Sequence, residues 1–260
     1  MTVADLPCCP DGLPMPPRPV RRRTRRALRE LRGCSSGLAL IEFAFALPVL
    51  LALSLYGFET ANLALAHMRV SNIAMLTADN AARIRDSIDE ANVIELMLGA
   101  KMSGEGIGFA GNARVILSSF ELAPAPNNTQ QWMRWQRCDG ALNVSSAYGA
   151  PKTAGGANIT NGTEIYNADR MTTSSAPSSS AHATSRTGPI GAAGGQVFAD
   201  PGAAVMLVEV VYNYQPIVSS SLFGPVEIRY VSAFKVRQRT NTTLINAGRA
   251  TPKSCNTFQS

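Results

Sequence analysis

The longest unbroken run of apolar residues lies near the N-terminus. From Leu38 to Tyr56 the sequence reads LALIEFAFALPVLLALSLY, with a single charged residue, Glu42, and a single proline, Pro48. At about 1.5 Å of rise per residue, a helix of this length spans close to 30 Å, the thickness of the hydrocarbon core of a bilayer. Proline is tolerated in membrane helices. The pattern predicts a transmembrane helix over residues 38–57, with Pro48 as a helix kink.

Apolar residues continue at helical spacing beyond this run. No glycine or proline interrupts the chain from Phe58 to Leu98. The pattern favours one long helix, or two in tandem with a fresh start near Ser87 or Asp89, where acidic residues stand in the first turn. We therefore predict an amphipathic helical stem over residues 58–100. Its apolar positions include Ala61, Leu65, Met68, Ile73 and Leu76.

The rest of the chain, residues 101–260, carries strand patterns. RVILSSFEL (114–122) and QQWMRWQRC (130–138) are strand candidates joined by a Pro/Asn turn. In VMLVEVVYNY (205–214) and VEIRYVSAFKVRQR (226–239), apolar residues recur at every second position, which is typical of a sheet covered on one side. The connection between these two strands is too short for a crossover helix, so they should pair antiparallel.

Two segments lack the residues of a packed core. Residues 139–200 are rich in Ser, Thr, Ala, Gly and Asn, which predicts a long loop insertion in the sheet domain. Residues 1–37 are rich in Pro and Arg, which predicts a basic cytoplasmic leader. The predicted fold class is thus α+β: an N-terminal membrane-spanning helix, extended by an amphipathic helix, and then a small antiparallel sheet domain.

The net positive charge of the chain is concentrated at the N-terminus. The 260-residue chain has a net charge of +6, and eight arginines against three acidic residues before Gly37 account for five of these charges. The remainder is nearly neutral, so no basic face is left for a nucleic acid, whose binding needs many phosphate contacts. Because positive residues stay in the cytoplasm, the N-terminus should lie inside and residues beyond about 58 outside. An alternative interpretation of the apolar run is a cleaved secretory signal, but its apolar core is too long for one and no small-residue cleavage site follows it.

The cysteines divide across the same membrane. Three of the five lie on the cytoplasmic side of the apolar run, whereas Cys138 and Cys255 lie in the exported part, where disulfides persist. A Cys138–Cys255 disulfide closing so long a loop would stabilise the fold by roughly 4 to 5 kcal/mol in the chain-entropy model. The alternative is two unpaired, buried thiols.

Catalytic chemistry finds no support in the sequence. Of the two histidines, His67 falls in the helical stem and His182 in the loop insertion, which leaves no basis for a zinc site or a catalytic triad. Gly106, Gly108 and Gly111 have the spacing of a dinucleotide-binding turn, but a helix precedes them and a strand follows, the reverse of what that turn requires. We expect a protein without enzymatic activity, cofactor or metal.

Glu42 is unusual because it is a charged residue within the predicted transmembrane helix. A charged residue in a membrane helix costs on the order of 2.5 to 3.5 kcal/mol at the centre of the bilayer and less near its edge. Glu42 is therefore either an interfacial residue without a special role or a carboxylate that requires a cationic partner.

Gly37, four apolar residues and then Glu42-Phe43 resemble the cleavage region of type IV prepilins. The resemblance implies a cut between Gly37 and Leu38 by a membrane prepilin peptidase. It also implies an assembly role for Glu42 and Phe43, with Glu42 facing the free amine of a neighbouring subunit. The leader is long for this family, and Ser36 rather than a basic residue precedes Gly37.

Within that group the chain is similar to the TadE-like proteins of Tad (Flp) pilus assembly. The similarity lies in IEFAFALPVLL (41–51), RWQRCDG (134–140) and YNYQPIV (212–218). It implies a pilin-like minor pseudopilin of the bacterial inner membrane, with its C-terminal domain in the periplasm. Its partners would be the prepilin peptidase, other Tad pseudopilins and pilus subunits. The alternative is an uncleaved, anchored envelope protein whose sheet domain binds a protein partner.

Overall fold

A long apolar helix followed by a small antiparallel sheet makes this an α+β protein. A computed structural model describes residues 36–122, 130–151, 188–218 and 224–259, so the predicted leader lies outside the described residues except for its last two positions. The chain divides into two compact units, Met1–Tyr56 and Gly57–Ser260.

Helix α1 extends from Ser36 to Arg83 and contains Pro48. Every side chain from residue 39 to residue 58 is exposed, including large apolar ones such as Phe45, at 77 %. Within the described part of the chain, this is one helix that is long and apolar enough to cross a membrane.

Two helices, and not one, occupy the region predicted as a helical stem. A short strand, β1 (Asp86–Asp89), separates α1 from α2 (Glu90–Ser103). The second helix begins where acidic residues indicate a start: the Asp89 carboxylate accepts a hydrogen bond from the Ala91 amide at 2.9 Å, and the Asn92 side chain accepts one from the Asp89 amide at 3.0 Å. Strand β1 was not predicted. It forms because β6 (Arg239–Ile245) pairs with it in parallel, and only Ile88 is buried in it.

The main sheet has four antiparallel strands, β2 (Ala113–Leu122), β3 (Gln131–Asp139), β4 (Ala204–Tyr214) and β5 (Val226–Lys235). They lie in the order β3-β2-β4-β5. Both predicted strand pairs are present, whereas the Pro/Asn turn at 123–129 lies outside the described residues. A 3-10 turn (Glu105–Ile107) and a one-turn helix, α3 (Phe109–Asn112), lead from α2 into the sheet.

One face of this sheet packs against the helices. Alternate residues of β4, among them Met206 and Val208, share a core with Val70 and Ile73 of α1 and with Met97 of α2. Residues 57–260 form one compact unit, so the helical residues 58–100 and the sheet, which were predicted as separate segments, have a common core.

The other face of the sheet is also buried, which corrects the prediction of a sheet covered on one side. Val205 and Leu207 of β4 pack with Ile190 and Ala199 from the predicted loop insertion. The physical reason is visible in β4 itself, where apolar residues follow one another without alternation, as in strands buried on both faces. The described ends of the insertion therefore supply core residues, and its middle, 152–187, lies outside the described residues.

Candidate functional site

The residues of the predicted cleavage and assembly site lie in the first turns of α1. The backbone of Gly37 and Leu38 is helical, and the side chains of Glu42 and Phe43 are exposed. Pro48 lies inside the same helix. Glu42 is thus an exposed carboxylate on a helix surface that is mostly apolar, an arrangement that can attract a cation.

A second acidic residue of α1, Glu59, is buried. It is 1 % exposed, and its Oε1 accepts a hydrogen bond from the Tyr214 hydroxyl at 2.5 Å. Its Oε2 accepts bonds from the backbone amides of Ile217 and Val218, at 3.1 and 2.9 Å. Asn62 donates to the Tyr214 hydroxyl at 2.7 Å. We call these five residues the Glu59 latch.

The electrostatics of the Glu59 latch favour an ionised carboxylate and a neutral phenol. The hydrogen bond from Tyr214 lowers the pKa of Glu59, and burial, which raises it, is the smaller effect. Burial and the hydrogen bond to Glu59 raise the pKa of Tyr214 to about 12. At neutral pH the carboxylate therefore accepts and the hydroxyl donates.

The Glu59 latch explains what the YNYQPIV segment does in the fold. Tyr214 is the last residue of β4, and Ile217 and Val218 follow in the turn after it. The donors of these three residues all bind the Glu59 carboxylate, which lies three residues after the end of the apolar segment of α1. The latch thus fastens the end of β4 to the helix. Tyr212, two residues earlier on the same face, donates to the Ile107 carbonyl at 2.7 Å and supports the same end of the sheet.

The RWQRCDG segment, which forms the end of β3, holds helix α2 with one face of the strand. Arg137 forms a bidentate pair with Glu90, the first residue of α2, with Nε at 2.9 and 3.0 Å from the two carboxylate oxygens. Both side chains are fully buried. Asp139 lies 3.0 Å from Lys101 near the other end of α2. Because alternate residues of a strand point to the same side, Trp135 packs beside them in the helix-facing core.

The opposite face of the same strand holds the C-terminal segment. Cys138 and Cys255 are joined in a disulfide, with their Cα atoms 4.7 Å apart and a sequence separation of 117. Gly140, two residues after Cys138, has φ of 114°, and a Cβ atom there would clash with the Ala113 carbonyl oxygen. Only glycine lets β2 and the end of β3 approach so closely.

Arg114 of β2 completes this attachment. Its guanidinium donates to the Gly140, Thr257 and Cys255 carbonyl oxygens at 2.8, 2.6 and 2.8 Å, and it lies over the Phe258 ring, 4.3 Å from the centroid. Burial lowers the pKa of this guanidinium. Asp139 acts in the opposite direction to burial on this pKa, and the hydrogen bonds of the guanidinium go to three carbonyl oxygens, which suits the anchoring of a backbone segment.

Arg239 of β6 performs a related task at the C-terminal end of α1. Its Nη2 donates to the Ala81 carbonyl at 2.7 Å and its Nε to the Ile84 carbonyl at 3.4 Å. Burial lowers the pKa of Arg239 to about 10, so it remains a cation at neutral pH. The last carbonyls of a helix carry a partial negative charge and lack partners within the helix, so a buried cation stabilises them.

These contacts fasten structural elements together. In the described part of the chain, no three His, Cys, Asp or Glu side chains come together in a way that could hold a metal ion. Sequence reasoning missed Glu59, Glu90, Arg114 and Arg239. Each is a charged residue within an otherwise apolar stretch or at the end of an element, which is the one signal that marks them.

No protein-family model, curated protein or solved structure matches this chain.

Proposed function

We propose that this chain is a minor pseudopilin of a Tad (Flp) pilus assembly machinery, processed by a prepilin peptidase in the bacterial inner membrane. Its N-terminus faces the cytoplasm and its C-terminal unit the periplasm. It has no catalytic role and acts through contacts with other pseudopilins and pilus subunits.

The observation that carries this proposal is the position of Glu42. It is the fifth residue after Gly37, and it is exposed in a helix segment whose other side chains from 39 to 58 are exposed and mostly apolar. A carboxylate in such surroundings is costly unless a cation meets it. Cleavage before Leu38 creates a cation of this kind, the new α-amino group, which lies only about 6 Å of helical rise from Glu42 and so within reach of the Glu42 of a neighbouring subunit.

Further support comes from the two other stretches that resemble the TadE-like family. YNYQPIV contains Tyr214, Ile217 and Val218 of the Glu59 latch, and RWQRCDG contains Arg137 and the disulfide cysteine Cys138. Both stretches join the antiparallel sheet to helices, as a pilin-like fold requires. Their likeness therefore bears on the fold, whereas Glu42 bears on assembly.

The first experiment determines the N-terminal residue of the membrane-extracted protein by mass spectrometry, in cells with and without the prepilin peptidase. We expect Leu38 only when the peptidase is present. Gly37→Leu should block the cut, whereas the matched variant Gly33→Leu, at the glycine four residues earlier in the leader, should not. An intact leader in both cell types overturns the proposal and favours the uncleaved, anchored envelope protein.

A second experiment separates assembly from processing. Glu42→Ala should abolish pilus formation while the N-terminal residue remains Leu38. Glu95→Ala removes another acid, on α2, and should leave pili unchanged. Normal pilus formation by Glu42→Ala would show that Glu42 has no role in assembly.

A further inference from the structure

Helix α1 has a second face that the fold leaves exposed. After Tyr56, one side of α1 packs on the sheet through residues such as Ala66, Val70 and Ile73. Among the exposed residues of the other side, six recur at intervals of three and four positions; five of them are apolar, and each large apolar side chain among the six is at least half exposed. We call this set the heptad stripe: Phe58, Ala61, Leu65, Met68, Asn72 and Met75.

The spacing of the heptad stripe is that of a coiled coil. Its six positions follow one another at intervals of three, four, three, four and three residues. This is the a/d pattern of the heptad repeat, which keeps one seam facing a partner helix over successive turns. A helix that only packed on the sheet would need one apolar face, so the stripe requires a separate explanation.

The one polar residue of the stripe agrees with this interpretation. The order of the intervals places Phe58, Leu65 and Asn72 at a positions and Ala61, Met68 and Met75 at d positions. A single Asn at an a position costs some stability but specifies the register and the number of helices in a coiled coil. The exposed amide of Asn72 therefore favours one alignment of two helices, in which it meets its own copy.

We propose that two copies of this chain pair in parallel and in register through the heptad stripe. The stripe begins two residues after Tyr56, the end of the apolar run. Two copies inserted in one membrane with the same orientation therefore start their stripes at the same level. A symmetric dimer then needs a self-complementary surface, and an in-register seam sets Leu65 against Leu65 and Met68 against Met68.

The charges beside the stripe are compatible with such a pair. The positions that flank the seam in register bring Ala64 opposite Arg69, and Ser71 opposite Leu76, so no two like charges meet. Asp79, which takes the next seam position, would meet its own copy and marks the end of the seam. It already pairs with Arg83 of its own helix at 2.6 Å.

The membrane makes a short seam sufficient. Fewer than about three heptads form a marginal coiled coil between free peptides, because isolated short helices are unstable in water. Here α1 is held helical by its packing on the sheet, and anchoring in one membrane raises the effective concentration of the second copy. The pairing needs the anchor but neither cleavage after Gly37 nor a pilus, so it can fail or hold independently of the proposed function.

Cysteine cross-linking in membranes tests the proposal on the full chain. Cys8, Cys9 and Cys34 are replaced by serine, and two differently tagged copies are co-expressed. Single cysteines are introduced as Leu65→Cys or Met75→Cys in the seam, and as Thr60→Cys or Asn80→Cys at exposed positions of the same helix outside it. After mild oxidation we expect at least fivefold more disulfide-linked dimer carrying both tags at the seam positions than at the controls.

A second variant shows whether the seam itself drives pairing. Leu65→Glu in the Met75→Cys background sets two carboxylates against each other and should lower the dimer yield at least fivefold. Asn80→Glu in the same background should leave it unchanged. Because both positions are exposed, the unfolding midpoint of the monomer should not move. Equal yields at seam and control positions, no dimer at all, or a product with the mass of another protein would each overturn the proposal.

Discussion

The buried ion pair between Glu90 and Arg137 gives the sharpest test of how α2 is held. Both side chains have no exposed surface, and Arg137 places three hydrogen bonds on the carboxylate. Removing one partner leaves the other charge buried without its counter-ion, which costs about 3 to 5 kcal/mol of unfolding free energy. Replacing both with apolar residues removes the unmatched charge, so the double variant should retain more stability than either single one.

The experiment is a double-mutant cycle on the full chain in detergent. The variants are Glu90→Leu, Arg137→Leu and the pair together, unfolded by urea and followed by tryptophan fluorescence. The chain has two tryptophans, Trp132 and Trp135, and both are buried in β3 close to Arg137 in sequence, so their emission reports the loss of this core. We expect each single variant to lose about 3 to 5 kcal/mol and the double variant to lose less than either.

A matched pair on the surface serves as the control. Lys235 and Asp200 are 2.8 Å apart, but their side chains are 44 % and 61 % exposed. Asp200→Asn should therefore cost less than about 1 kcal/mol. The reasoning fails if the buried variants cost no more than this surface variant, or if the losses of the two single variants add up in the double one. Additive losses would mean that the two charges are not coupled through burial.

Two further predictions concern the attachment of the sheet and the C-terminal segment. Cys138→Ser should expose one reactive thiol on Cys255 and lower the unfolding free energy by about 2 to 5 kcal/mol, measured by maleimide labelling and urea unfolding; unchanged labelling would exclude the disulfide. In the Glu59 latch, the lowered pKa of Glu59 means that its contribution is present above about pH 4.5 and is lost as the pH falls through the folded-state value. The raised pKa of Tyr214 means that its contribution is present below pH 10 and is lost as the pH rises towards about 12. Tyr214→Phe should weaken both pH dependences in thermal unfolding, and an unchanged profile would show that the latch contributes nothing.

Local patterns predicted the elements that one stretch of chain determines. The apolar run indicated the first half of α1, and the apolar positions and short connection of the last long strands indicated the antiparallel pair β4 and β5. Strand β1 was not predicted, because its four residues, DSID, carry no alternation that distinguishes a strand from a turn. It exists only because β6, about 150 residues later, supplies a partner, and sequence periodicity carries no information about that pairing.

In the candidate site, too, the residue recognised by a local pattern was predicted, and the residue with distant partners was not. Glu42 was identified from its fixed distance to Gly37, which is a local pattern. Glu59 was not identified, because its partners Tyr214, Ile217 and Val218 are more than 150 residues away in sequence. A carboxylate in an apolar helix indicates that a partner is needed, but it does not indicate whether that partner belongs to the same chain.

The contrast between these two acids decides how variants of α1 should be interpreted. Glu59 is satisfied inside the chain, by a hydroxyl and two backbone amides, so a loss of function at Glu59 that accompanies earlier unfolding reports on the fold. Glu42 is exposed, so its replacement should leave the unfolding of residues 57–260 unchanged. An effect of Glu42→Ala on function without an effect on unfolding therefore has to arise outside the folded unit, from the membrane or from another subunit. Measuring both properties on both variants separates a residue that builds the subunit from one that joins subunits, and neither measurement alone can do so.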